Sequence, residues 1–341
     1  MSPAPKTHVL ILLPLSKETM TALREEFPKV EFNHITDRGI DDVNKQVLEK
    51  AEIIFTHTEL PKAEDVPNLK WLHIFHTVVD VRTLDDNLLE IPGLVITSNS
   101  GVTAPAYADI ALMQIHSLGY HLPQVCEAKT THKFDLQEEK FSAAQFHDST
   151  VGVIGYGSVG REFARISYSF GVKLLAAKRD LMHPEDDGFT LPEHGDPNGD
   201  YFVRLYPPQA IPSMVKDCDF VLVTLPYTAQ TEKIINLEVF EQMKPSAYLI
   251  NLSVPDVVDW GALESAIENR LLAGASFVQF PDYEFDEDCP LWNIDKVLIF
   301  PPVSSLIGNE EDKAVLLLIE NMKQYLIGGP LTNHIDIERG Y

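Results

Sequence analysis

The feature that most constrains this chain is the apolar run Thr150-Val151-Gly152-Val153-Ile154, followed at once by Gly155-Tyr156-Gly157-Ser158-Val159-Gly160. The spacing GxGxxG arises often by chance. Here a strand pattern precedes it, a helical pattern from Arg161 to Phe170 follows, and a second strand pattern, Lys173 to Ala177, completes the unit within about 30 residues. That order predicts a dinucleotide-binding turn. Gly155 permits the tight bend, Gly157 lets backbone approach a diphosphate, and Gly160 lets helix and strand pack closely. The amides of Ser158 and Val159 fall at a helix N-terminus, where the positive end of the dipole favours phosphate. The competing reading is a glycine-rich turn with no ligand.

The end of the second strand bears on which dinucleotide is bound. An acidic residue about 20 positions after the loop accepts hydrogen bonds from the ribose hydroxyls of NAD. Here Lys178 and Arg179 come first and Asp180 third. Two cations suit a 2′-phosphate, with Arg179 able to engage it in bidentate fashion. NADP is therefore the expected cofactor, and Asp180 keeps NAD as the alternative. A solvated surface pair is the bland reading of Lys178 and Arg179.

Strand-like runs alternate with helical patterns through the rest of the chain, which predicts α/β architecture with parallel sheets. The expected strands are Val9–Leu15, Ala51–Phe55, Trp71–Phe75, Leu94–Thr97, Phe220–Leu225, Tyr248–Leu252, Ala273–Phe277 and Val297–Phe300, beside the two already named. Ser16 reads as the N-cap of a helix ending at Phe27. Pro105–Leu118 and Asn309–Ile327 read as further helices. Gln124–Asp148 is polar without a clean period and reads as an arm or connector. Asp180–Pro208, rich in Pro, Gly and Asp, reads as a long exposed loop.

At 341 residues, two domains are the natural expectation. The formal charge of −24 includes 51 acidic and 27 basic residues, with no basic stripe for nucleic acid or an anionic membrane. No apolar run approaches the roughly 20 residues of a membrane span. Cys126, Cys218 and Cys289 are three and widely spaced. They predict neither a disulfide framework nor a metal site, and fit a reducing cytoplasm.

Several further segments resemble the D-isomer-specific 2-hydroxyacid dehydrogenase family. They include Asn68-Leu-Lys-Trp-Leu-His73, Ser98-Asn-Ser-Gly-Val-Thr-Ala104 and Leu225-Pro-Tyr-Thr-Ala-Gln-Thr231. Met243-Lys-Pro245 with Leu249-Ile-Asn251, Pro290-Leu-Trp292, and Gly329 to Tyr341 are similar too. The resemblance implies two Rossmann-like, doubly wound parallel-sheet domains. The substrate domain would be discontinuous, residues 1–102 and 303–341, around a dinucleotide-binding domain at 103–302. It implies cofactor contacts from Leu225, Pro226, Thr231, Leu252 and Ser253, with Tyr227 close by. It implies a homodimer too, with Tyr120–Asp148 placed as an interface arm.

The family's reduction of 2-oxo acids uses an Arg that orients the substrate carboxylate, a His that donates a proton, and a Glu that holds the His. At the matching positions stand Val254, Pro302 and Tyr283, with Glu284 one residue further on. Pro255 replaces a glycine, Val278 an aspartate, and His76-Thr-Val-Val-Asp80 the glycine-rich substrate loop. Candidates for the missing proton chemistry are His76, Tyr283 and Glu284. His57 is a weaker one, and Arg82 is the nearest replacement cation. Each has a bland reading as a packed or solvated side chain, as do His183 and His194 in the long loop. Three functional readings follow. The first is an NADP(H)-dependent oxidoreductase acting on a small carbonyl compound in a remodelled apolar pocket. The second is a non-catalytic dinucleotide-binding sensor or scaffold. The third is an ordinary 2-oxo acid reductase using replacement residues.

Overall fold

The computed structural model describes residues 6–36, 39–57, 59–76, 84–133, 143–280, 292, 296–301 and 311–339. The chain forms two compact units, residues 1–103 with 308–341, and residues 104–307. Helices are numbered α1 to α10 in chain order.

The first unit holds a five-stranded sheet in the order β2-β1-β3-β4-β5. Its strands are β1 (Thr7–Ile11), β2 (Val30–His34), β3 (Ile53–Thr56), β4 (Trp71–Ile74) and β5 (Val95–Ser98). Every pairing is parallel. The helices of this unit are α1 (Lys17–Glu26), α2 (Lys45–Lys50), α3 (Asp86–Leu89) and α10 (Glu311–Ile327). Ser16 caps α1 by accepting the Thr19 amide at 3.1 Å, as a short side-chain oxygen before an amphipathic run should. Leu10, Ile54, Leu72 and Ile96 form the centre of the core. The last residues return to this sheet. Ser98 N donates to Asn333 O at 3.0 Å and Ile335 N to Ile96 O at 2.9 Å, which ties the chain end to β5.

The second unit holds a seven-stranded sheet in the order β12-β11-β10-β9-β6-β7-β8, again wholly parallel. Its strands are β6 (Thr150–Ile154), β7 (Lys173–Ala177), β8 (Arg204–Tyr206), β9 (Phe220–Val223), β10 (Tyr248–Asn251), β11 (Gly274–Phe277) and β12 (Val297–Ile299). Its helices are α4 (Ala104–Gly119), α5 (Leu122–Thr131), α6 (Ser158–Tyr168), α7 (Ile211–Val215), α8 (Leu237–Gln242) and α9 (Trp260–Glu268). Val151 and Val153 pack into one apolar cluster and Ile154 into another, on opposite faces of the sheet. A strand covered on both sides reads as an unbroken apolar run. The chain leaves β6 toward β7 on one side and later toward β9 on the other. Open α/β sheets bind ligands outside the strand carboxyl ends at such a reversal.

Both sheets match the expected fold class. Three local expectations need correction. The strands Val30–His34 and Arg204–Tyr206 carry too little apolar signal to be read as strands, since Glu31, Asn33 and His34 interrupt the first and the second is only three residues long. The segment Gln124–Asp148, read as irregular, begins within a helix, Leu122–Thr131. The stretch after β7 has little regular structure, but it is not simply exposed: Phe189, Leu191 and Asp196 are buried. Its anchors come from α6, as described next.

Candidate functional site

Sterics shape the loop after β6. Gly155 has φ +104°, and a Cβ there would lie 2.6 Å from Thr224 O. A Cβ on Gly160 would meet Gly155 O at 2.6 Å and Val153 Cγ1 at 2.9 Å, so α6 packs against β6 only with hydrogen at that position. Gly157 differs: nothing lies within 4 Å of the place its Cβ would occupy. Gly157 is the N-cap of this eleven-residue helix and brings no side-chain acceptor to its first turn. Open space beside such a helix start fits a diphosphate. The residues present therefore fit a dinucleotide. The amides of Ser158 and Val159 would hold its diphosphate, as the sequence places them.

Beneath this loop lies a polar network that sequence reasoning missed. Tyr156 is buried, and its hydroxyl donates to Asp196 Oδ2 at 2.6 Å. Burial first, then the Asp196 carboxylate, raises the Tyr156 pKa, so the phenol keeps its proton. Arg161, only 1% exposed, donates to the carbonyls of Asp196, Pro184 and Glu185, and its Nε lies 3.6 Å from Asp186 Oδ2. Glu162 accepts the Gly195 amide at 2.6 Å and pairs with Arg165. Two adjacent residues of α6 thus anchor the long loop, which corrects its reading as an exposed segment. Only spacing along α6 hints at these partners in the sequence.

At the end of β7 the expected clamp is divided. The Lys178 ammonium donates to His183 O at 2.7 Å and Glu185 O at 3.3 Å, and partial burial, then the Arg161 charge, lowers its pKa. Arg179 is exposed. Asp180 accepts the Met182 and His183 amides through Oδ1 and the His183 ring through Oδ2 at 2.8 Å. The His183 bond is the main reason its pKa is lowered.

Beside the glycine loop, β9 and β10 bring Leu225 and Ser253 together: Leu225 N donates to Ser253 Oγ at 2.6 Å. Thr231 closes its own turn, donating to Pro226 O at 2.8 Å and accepting Thr228 N at 2.7 Å. Its hydroxyl thus supports the Leu225–Thr231 segment from within. Leu252 is buried, with its amide on Val223 O. Val254 is partly buried, Pro255 opens a short 3-10 turn, and Val278 is wholly buried. These ends of β10 and β11 are apolar. Tyr283, Glu284 and Pro302 lie outside the described residues, as does Arg82 in the first unit.

In the first unit, His76 follows β4 and is exposed. Partial burial of its ring, then the nearby His57, lowers its pKa. The neighbouring His73 has no such access. It is wholly buried, contacts Thr97 Oγ1 at 2.9 Å and stacks on Phe55 at 4.4 Å. Burial lowers its pKa to about 3, so it stays neutral. Among the described residues, no group of three or more His, Cys, Asp or Glu is arranged to hold a metal ion, and no helix is long and apolar enough to cross a membrane.

A reversing parallel sheet with a glycine loop at its central strand defines a dinucleotide-binding Rossmann unit. More particularly, the chain belongs to the D-isomer specific 2-hydroxyacid dehydrogenase family, whose NAD binding domain model matches residues 112–304. It is 26% identical over 259 residues to a D-3-phosphoglycerate dehydrogenase of Synechocystis, covering 76% of this chain but 44% of that protein. It thus spans less than half that relative's length. A glyoxylate reductase of Thermococcus onnurineus is 25% identical over 325 residues, covering 93% of this chain and 92% of that one. Among solved structures, a D-isomer specific 2-hydroxyacid dehydrogenase from Xanthobacter autotrophicus in complex with NADPH and MES superposes with TM-score 0.76. It is 21% identical, and the match covers 99% of this chain and 100% of that one.

Proposed function

We propose that this chain is an NADP(H)-dependent oxidoreductase that reduces a small carbonyl compound. The observation that carries the reading is the open face of Gly157, an N-cap without a side chain, at the start of α6. Reduced nicotinamide supplies hydride when bound. This chain's own residues bind and orient: the amides of Ser158 and Val159 hold the diphosphate, and Tyr156 with Asp196 keeps their loop in place. Partly buried Val254 presents an apolar surface that excludes water, backed by the wholly buried Val278.

The preference for NADP rests on the end of β7. Asp180 is occupied by the turn at Met182 and His183 and is poorly placed to accept ribose hydroxyls. Arg179, exposed at the end of β7, is the cation assigned to the 2′-phosphate, and Lys178 braces the following turn through the His183 and Glu185 carbonyls. The NADPH in the Xanthobacter relative supports the same choice. The glyoxylate reductase relative supports a small carbonyl substrate. The apolar Val254, in place of a cation, favours an aldehyde or ketone over a 2-oxo acid. Exposed Tyr120, Leu122 and Val125 on and beside α5 support a homodimer, and free Cys126 and Cys218 suit a reducing cytoplasm.

The test is a fluorescence titration of the whole chain with NADPH and NADH. Wild type binds NADPH more tightly. Arg179→Ala weakens NADPH by about 10–100-fold and NADH by less than about threefold, as expected for loss of one charge-assisted bidentate contact. Equal losses for both nucleotides remove the NADP preference, and no binding of either removes the whole reading.

A further inference from the structure

The turn after β7 mixes cations with an acid at the place where a Rossmann fold meets the ribose of its dinucleotide. Lys178 and Arg179 leave the strand, and Asp180 and His183 follow at once. Asp180 builds the turn. Its Oδ1 accepts the Met182 amide at 2.9 Å and the His183 amide at 3.3 Å, and its Oδ2 meets His183 Nδ1 at 2.8 Å. Lys178 closes the turn from the strand side by donating to His183 O at 2.7 Å. Arg161 of α6 and Lys178 both donate to Glu185 O, at 3.0 and 3.3 Å, which fixes the chain just beyond. His183 is thus held through both its amide and its carbonyl, while its side chain is 78% exposed.

The ring meets Asp180 through Nδ1, so Nε2 is the atom it presents to a ligand. Imidazole donates from both nitrogens only when protonated. In the charged form Nδ1–H stays on Asp180, Nε2–H serves an anion, and the pair carries no net charge. In the neutral form that keeps Nδ1–H on Asp180, Nε2 offers a lone pair, and the pair carries the full carboxylate charge. A phosphate dianion separates these two states strongly. A ribose hydroxyl, which both donates and accepts, hardly does. The Asp180 hydrogen bond, then its charge, raises the His183 pKa above the ordinary imidazole value; Glu185 adds to this and Lys178 opposes it. Further along, Asp186 and Asp187 act on Lys178, and Asp186 lies 3.6 Å from Arg161 Nε. The competing explanation is a surface ion pair that serves only its own turn.

We propose that His183, held by Asp180, is a specificity residue for NADP: in its protonated form it offsets the Asp180 carboxylate and donates Nε2–H to the 2′-phosphate beside Arg179. The proposal rests on the NADP reading. It explains how an acidic residue can stand in a phosphate site, where an uncompensated carboxylate repels the ligand. The 2′-phosphate therefore binds with uptake of a proton wherever His183 is neutral, by linkage of the two equilibria. The raised pKa keeps the charged form to higher pH, and that form is lost as pH rises through it. NADPH affinity falls over the same interval. NADH, whose 2′-hydroxyl is uncharged, is indifferent to it.

The experiment titrates the whole chain with NADPH and with NADH by fluorescence at about pH 6.5 and about pH 9, where a phosphate monoester is already mainly dianionic. In wild type the NADPH Kd rises about 5–10-fold between the two, the scale of one exposed charge-assisted contact, and the NADH Kd changes by less than about twofold. The variants His183→Gln and Asp180→Asn are each checked for wild-type thermal unfolding. His183→Gln binds NADPH at both pH values as weakly as wild type does at the higher one. Asp180→Asn, whose side-chain oxygen still accepts the turn amides, lacks the repulsion and binds NADPH more tightly than wild type at the higher pH. NMR of the His183 ring reads the site directly: its midpoint rises when NADPH binds, stays in place with NADH, and falls in Asp180→Asn. A wild-type NADPH Kd that is equal at the two pH values, or a His183 midpoint unmoved by NADPH, overturns the assignment, and any preference for NADPH that persists then belongs to Arg179. Wild type that favours NADH at about pH 6.5 instead defeats the NADP reading, and the role of His183 with it.

Discussion

The carboxyl ends of β6 and of β10 and β11 belong to one sheet, yet they are built by opposite means. At β6 the backbone dominates: Gly155 and Gly160 sit where a Cβ would strike carbonyl oxygen at 2.6 Å, and Gly157 is left open. Buried Tyr156, Arg161 and Asp196 support that loop from below. At β10 and β11 apolar side chains dominate, with Val254, Pro255 and buried Val278. Ser253 is a polar exception, and it serves the scaffold by accepting the Leu225 amide. The contrast shows that holding a dinucleotide and handling a proton are separable demands. The first needs backbone geometry, which tolerates few substitutions. The second needs a titratable group held at one place, which backbone geometry does not supply.

The sharpest way to break this comparison is at the glycines. Gly160→Val drives a side chain into backbone and strand, and is expected to cost more than about 3 kcal/mol in urea unfolding. Gly157→Ala meets no protein atom. It should change stability by less than about 1 kcal/mol while weakening NADPH at least about tenfold, because the added methyl fills the ligand's space. Similar stability losses for the two would show that the loop is merely close-packed.

A smaller effect is expected below the loop. Arg161→Met leaves the carbonyls of Pro184, Glu185 and Asp196 without their donor. It should cost about 2–4 kcal/mol and make residues 181–203 cleavable by limited proteolysis. Persistent protection of that segment would mean the buried cation is not its anchor. The smallest effect belongs to β10: Ser253→Ala removes one hydrogen bond to Leu225 and should cost about 1 kcal/mol in the same assay. If Ser253→Ala proved as damaging as Gly160→Val, the two strand ends would not differ as described.

Much of the fold was legible because burial on both faces of a parallel strand leaves an unbroken apolar run. Thr150–Ile154 and Lys173–Ala177 were read with the bounds they have. Val30–His34 and Arg204–Tyr206 were not, because polar residues interrupt the first and the second is too short to show a period. The site was legible in the same uneven way. The glycine loop announces itself through spacing. Lys178 and Arg179 look equivalent in sequence, yet one ammonium serves the His183 and Glu185 carbonyls while its neighbour is exposed.

The order of residues thus determined what depends on neighbours along the chain: where strands alternate with helices, where Ser16 starts a helix, and where only glycine can turn after β6. Such features follow from backbone sterics and from the period of burial, which are local properties. Tertiary structure decided the choice of polar partners: Arg161 with the 184–196 loop, and Tyr156 with Asp196. A charged side chain can meet any of many donors and acceptors, and the packing of remote segments selects among them.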